Sequence, residues 1–236
     1  MSLAAVLAST ALSVTQVPAP AVQTPAMCSK CTLDAPPHGD AIPLIVVLRD
    51  EHDTSPRGSG EWREPALTNG WALLTLVGWE RDEPSWIAAQ VRATAKLLPI
   101  DLARMYLIGS SNGAAYIARH VQVLSETFAA LVITGGGGPP AVNTCPDQVL
   151  PAYFLVDAGD VAARELRSYL ERCKQPVVWN QTHGLQPADR RMVLGILDWL
   201  HHHVRVTTVA IDLSRSRVML AWCGSPLESP SYACWC

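Results

Sequence analysis

Through most of the chain, short apolar runs alternate with segments of helical period. Residues 42–48 (IPLIVVL) are continuously apolar and rich in branched side chains, the pattern of a strand buried on both faces. Residues 71–77 (WALLTLV), 104–108 (RMYLI), 128–134 (FAALVIT), 152–156 (AYFLV) and 176–179 (PVVW) continue the series. Between them, 85–98 carries Trp86, Ile87, Val91, Ala95 and Leu98 on one helical face, with Pro84 just ahead of it. Residues 114–124 and 161–173 are helical in pattern, and 187–201 closes the series with Met192, Val193, Ile196, Leu197 and Leu200 on one side. Parallel neighbours need crossover connections, so this alternation predicts an α/β fold: a mostly parallel sheet of about six strands covered by helices on both faces. Chemistry in such sheets sits on loops beyond the carboxyl ends of the strands.

The ends of the chain read differently. Residues 2–17 (SLAAVLASTALSVTQV) are like the apolar core of a secretory signal, without a basic leader, and 18–40 has the Pro, Ala and Thr content of a linker. Residues 204–211 and 217–222 flank a turn-like stretch and predict a hairpin, with Cys223, Cys234 and Cys236 beyond it. The expected organisation is a signal-like segment and linker over 1–40, one α/β domain over 41–203 and a cysteine-containing extension over 204–236.

Composition narrows the function classes. Eighteen basic against 21 acidic residues give a net charge of −3, which argues against a nucleic-acid surface. No apolar run approaches the ~18 residues that read as a transmembrane segment. Seven cysteines, most of them toward the outer parts of the chain, point to an oxidising compartment and an exported protein. Cys28 and Cys31 form a C-x-x-C open to three readings: redox dithiol, half a zinc site or disulfide partners. A Pro-flanked linker does not suit the first, and Cys234-Trp235-Cys236 has the wrong spacing to complete the second, so disulfide bonding is favoured.

The most specific motif follows the third core strand: Gly109-Ser110-Ser111-Asn112-Gly113, a G-x-S-x-G with a predicted strand before it and a predicted helix after it. Such a turn needs glycines where strand and helix approach, and it lifts the Ser111 hydroxyl clear of the sheet. It also aims a helix amino terminus, with the Asn112 amide, at the place where an oxyanion forms. With this elbow the chain resembles the α/β-hydrolase superfamily, and more narrowly the compact esterases related to polyhydroxyalkanoate depolymerases and feruloyl esterases. Phe128-Ala129-Ala130 matches the aromatic-Ala-Ala stretch of that group, and the resemblance covers roughly residues 42–200.

The resemblance implies a serine carboxylic ester hydrolase whose nucleophile, acid and base occur in that order along the chain. Asp160, a few residues past the fifth strand after a small-residue turn, matches the acid, with Asp157 at the strand end as runner-up. An aspartate at position 160 also serves as a helix cap. His183, followed by Gly184 on the loop after the sixth strand, matches the base. His38, His52, His120 and the run His201-His202-His203 are weaker; the run reads as a solvated helix end. In this reading Ser111 attacks the ester carbonyl, His183 moves the proton, Asp160 orients the imidazole and no cofactor or metal is needed.

Two departures matter. The group usually carries His-Gly after its first core strand, next to the second oxyanion donor, whereas this chain has Arg49-Asp50-Glu51-His52. The backbone near Asp50 can still donate, but carboxylates there oppose a developing negative charge; this motivates the alternative of a catalytically silent binding or structural module. The group also has two more strands before Ile42, where a linker is expected here. Residues 135–140 (GGGGPP) read as a flexible loop edging the pocket; Trp62, Trp79 or Trp86 could stack on a bulky or polymeric ester, though core packing is the favoured use for at least Trp86, which lies on the helix face. A thioesterase or lipase of the same mechanism is a lesser option.

Overall fold

The computed structural model describes residues 21–22, 31–37, 40–50, 60–79, 83–182 and 189–205. In chain order the strands are β1 (Ala21–Val22), β2 (Thr32–Asp34), β3 (Ile42–Arg49), β4 (Ala72–Val77), β5 (Ile100–Gly109), β6 (Ala130–Ile133), β7 (Ala152–Asp157) and β8 (Val177–Thr182). The helices are α1 (Gly60–Thr68), α2 (Pro84–Leu97), α3 (Asn112–Leu124), α4 (Val161–Arg172) and α5 (Arg190–His201). All strands join one sheet in the order β1-β2-β4-β3-β5-β6-β7-β8. From β4 through β8 every pairing is parallel, while β1 and β2 add to the β4 edge antiparallel.

The branched apolar runs of the sequence are the inner strands, and alternation sends their side chains to two separate cores. Leu44, Val46 and Leu48 of β3 join Met105 and Leu107 of β5 against α2, α3 and α4. Ile45 and Val47 join Tyr106 and Ile108 against α1 and α5. The sheet is therefore the middle of three layers, as predicted. Within the helices, Ile87 and Val91 of α2, Ile117 and Val121 of α3, and Val193, Ile196 and Leu200 of α5 are buried at the predicted spacings.

The structure differs from the sequence reading at four places. The presumed linker contributes β1 and β2, so the sheet has eight strands rather than about six; Leu33 is buried, and Leu33 pairs with Leu74. Helix α1 had no signature, because it contains Pro65 and buries only Trp62, Pro65 and Ala66. One exposed arginine and one exposed glutamate tie it sideways instead: Arg63 to Asp34 at 2.9 Å and Glu64 to Arg190 at 3.1 Å. Strand β5 starts earlier than its apolar core, at Ile100, where register slips between Ile42 and Leu44 of its neighbour. Last, His203 is half-buried rather than solvated, stacked on Trp199 at 4.1 Å, and its carbonyl accepts from Tyr106 Oη at 3.0 Å.

A disulfide joins Cys145 to Cys173 at the end of α4, and buried Cys31 is also disulfide-bonded, as the sequence favoured. No described helix is long and apolar enough to cross a membrane. The signal-like segment and the C-terminal hairpin lie outside the described residues, apart from Val204 and Arg205.

Gly195 lies in the interior of α5, exposed, with open space where a Cβ would stand. Gly195→Ala is expected to raise stability by about 0.5–1 kcal/mol, because alanine restricts the unfolded chain without strain in the folded one. Urea denaturation of the two proteins measures it; an unchanged or lower midpoint contradicts this account of α5.

Candidate active site

Strand β5 ends at Gly109 and α3 begins at Asn112, so two residues reverse the chain. The second, Ser111, has φ 50° and ψ −113°. A non-glycine residue there carries strain of about 1–3 kcal/mol and persists only where its surroundings hold it. They do. Ser111 N donates to Gly135 O at 2.8 Å, and Ser111 O accepts from Ala115 N at 3.0 Å. Gly113 N donates to Ser110 O at 2.8 Å, and Ser110 Oγ to Thr134 O at 3.1 Å.

The two motif glycines answer to space. A Cβ on Gly109 would lie 2.6 Å from Ile117 Cδ1 and 2.7 Å from the Gly113 carbonyl carbon. On Gly113 it would lie 2.9 Å from Leu48 O, on the neighbouring strand. With the turn so compressed, Ser111 is exposed at the carboxyl end of a central strand. Asn112 is the first residue of α3, and its amide is among those with no acceptor inside the helix.

The glycine run after β6 is not the flexible loop expected from composition. Gly135, Gly136, Gly137 and Gly138 all have positive φ, and the run is strapped on both sides. Toward the elbow, a Cβ on Gly136 would meet Ser111 O at 2.9 Å and Ser111 Cα at 3.0 Å. Toward α4, one on Gly137 would meet Ala162 O at 2.9 Å, and Gly138 N donates to that oxygen at 2.9 Å. Glycine is required here because backbone passes between two backbones.

Asp160 completes the clamp. Its Oδ1 accepts from Ala163 N at 2.9 Å, capping α4, and its Oδ2 accepts from Gly136 N at 2.7 Å. Only Gly136 thus separates this carboxylate's hydrogen bond from the Ser111 backbone. Asp157 stands at the end of β7, with Oδ1 accepting from Gly159 N at 2.8 Å and its carbonyl from Asp160 N at 3.0 Å. Opposite Asp157 in register is Thr182, the last residue of β8. His183 follows in sequence and lies outside the described residues.

On the other side, Asp50 follows β3, and its Oδ2 accepts from Asn112 Nδ2 at 2.5 Å. The Asp50 carboxylate is thus hydrogen-bonded to the elbow's own side chain. One residue earlier, Arg49 O accepts from the indole of buried Trp79 at 2.8 Å. Trp79 packs edge-on to Tyr116 at 5.0 Å, and the Tyr116 ring lies tilted against His120 at 4.5 Å. Burial holds the His120 imidazole below its usual pKa range, with Arg119 adding to the effect. Trp62 and Trp79 are buried, so neither is a free stacking surface, and Trp86 is half-buried against the core, the use favoured for it from sequence.

The structure therefore brings Ser111, Asn112, Asp50 and Asp160 to the carboxyl-end rim of the sheet. Sequence reasoning named Gly136 and Trp79 but missed their positioning roles. The four-glycine run was the signal for the first; no local signal marked the second.

No family model matches the chain, and no curated protein matches it. Solved structures do. A thermostable esterase superposes with a TM-score of 0.56 and 19% identity over 74% of this chain, which spans 59% of that esterase. The substrate-bound fluorophosphonate-binding serine hydrolase FphF of Staphylococcus aureus gives 0.54 and 10%, covering 72% of this chain and 91% of that one. A carboxylesterase of Bacillus cereus gives 0.50 and 16%, covering 75% and 94%. The fold is that of the α/β hydrolases.

Gly113→Ala and Gly136→Ala each place a methyl group against fixed backbone, and the second also at φ 80°. Each is expected to lower stability by about 1–3 kcal/mol. Equilibrium denaturation with native-state circular dichroism checks this; wild-type stability in either variant contradicts the packing described for the elbow.

Proposed function

We propose that the protein is a serine-dependent carboxylic ester hydrolase acting through an acyl-enzyme. The observation that carries the reading is Ser111: a strained residue with its side chain exposed, at the end of β5 and the start of α3. Strain of this kind is retained where a surrounding structure enforces it, and it clusters at reactive sites. The structural neighbours are esterases and serine hydrolases, which favours the same reaction class.

In this mechanism the Ser111 hydroxyl attacks the ester carbonyl while His183 accepts its proton, and the alcohol leaves with that proton. Water then attacks the acyl-enzyme by the same route and frees the acid. Asp160 is the carboxylate assigned to orient His183. Its two bonds to Ala163 N and Gly136 N leave lone pairs for an imidazole N–H, since a carboxylate accepts about four hydrogen bonds. Asp157 is the alternative acid. The Asn112 amide, at the helix start, and the backbone near Asp50 are assigned to the oxyanion. No cofactor enters. The disulfides favour an exported protein.

A second reading, a silent module that kept the fold, is favoured by Asp50. A carboxylate bonded to Asn112 Nδ2 stands on the loop where the family resemblance implies His-Gly. It places negative charge beside the oxyanion site.

Two measurements separate the readings. Ser111→Ala is expected to lower hydrolysis of p-nitrophenyl butyrate at least ~1000-fold, the order seen when a nucleophile is removed from such a site. It is also expected to abolish labelling by a fluorophosphonate probe. Equal rates for the folded wild type and variant, with no labelling, select the silent module.

A further inference from the structure

A cavity of about 730 Å³ runs along α4, outside the residues assigned to ester hydrolysis. That volume falls within the range of small-molecule sites. One wall is the outer face of α4; the other is the irregular segment 139–143. Pro139, Pro140 and Val161 give an apolar lip, and Val161 is 63% exposed with nothing covering it. The charged lining residues are Arg164, Arg172 and Glu165, two positive against one negative, so the lining is net positive by one.

The irregular wall is built, not incidental. It is anchored at successive points: Gly138 N to Ala162 O at 2.9 Å, and Ala141 N to Arg119 O at 3.2 Å. Arg172 Nη2 donates to Asn143 Oδ1 at 2.6 Å, and Tyr169 Oη to Thr144 O at 2.6 Å. The Cys145–Cys173 disulfide then fixes its end to the end of α4. A wall held this way is preorganised, which removes the ordering cost from ligand binding.

Both guanidinium groups are exposed, each held by one hydrogen bond to the surface, and keep free donors. Arg172 lies 5.5 Å over the buried Tyr169 ring, with one nitrogen on Asn143. Arg164 uses Nε on Asp160 O at 3.3 Å. Each retains N–H groups for a carboxylate, which the planar fork matches well.

We propose that this cavity binds a small monocarboxylate with an apolar body, of aryl or short-chain alkyl type. Arg164 and Arg172 take the carboxylate, and the body lies against Pro139, Pro140 and Val161. The assignment rests on the cavity alone and stands whether or not Ser111 is a nucleophile.

Phenylacetate titrated into the full chain by isothermal calorimetry, with phenylacetamide as its neutral counterpart, tests it. Saturable one-site binding is expected, at least tenfold weaker for the amide and for an Arg164→Gln/Arg172→Gln variant. Affinity is expected to be unchanged in Arg191→Gln, on exposed α5, and in Ser111→Ala. A Cys145→Ser/Cys173→Ser variant that keeps the native circular dichroism is expected to bind at least tenfold more weakly. Equal affinity for acid and amide, absence of saturation, or full affinity in the folded double-arginine variant overturns the proposal. Loss of binding in Ser111→Ala does so too, because it moves the ligand to the elbow. If the cysteine variant does not fold, the arginine variant decides.

Discussion

Backbone crowding at the carboxyl end of β5 is the constraint on which the rest of the rim depends. Within the Gly109–Gly113 turn the chain passes against Leu48 O on one side and takes Gly136 against Ser111 on the other. Neither approach leaves room for a methyl group. The strained Ser111 is held by this packing and by the hydrogen bond from its amide to Gly135 O, not by any preference of serine. The end of β3, the turn after β5 and the loop after β6 are thereby locked into one object.

Asp160 extends that object to the loop after β7. One carboxylate caps α4 and holds Gly136, so helix position and elbow geometry share a single charged group. A residue with both roles makes the site stiff, and stiffness is what a preorganised reaction centre requires. The same logic runs outward along α4. There the segment leaving the glycine run is pinned to the helix by Asn143, Thr144 and finally the Cys145–Cys173 disulfide. On the opposite flank, the buried indole of Trp79 and the side chain of Asn112 hold the loop at Arg49 and Asp50. Hydrogen bonds do the positioning there.

Much of this was legible. The inner strands announce themselves because a sheet covered on both faces needs unbroken apolar runs, and β3 is one from Ile42 to Leu48. Ser111 was legible because the elbow needs glycine two residues before and after it, a local demand with a fixed spacing. What failed was non-local. Helix α1 forms without an apolar stripe, anchored by Trp62 and by ion pairs to β2 and α5. Strand β2 is three residues long and exists through pairing with β4.

By itself, then, the sequence determined the layered α/β arrangement, the position of the elbow and the short list of acids that follow it. Periodicity and glycine spacing are properties of neighbouring residues. Only the tertiary structure decided that the GGGG run is a clamp, that Asp160 also holds Gly136, that Trp79 supports Arg49 and that a pinned wall opens a cavity on α4. Each of these is a contact between residues more than twenty positions apart, or a matter of how much space remains between two backbones, and no local pattern encodes that.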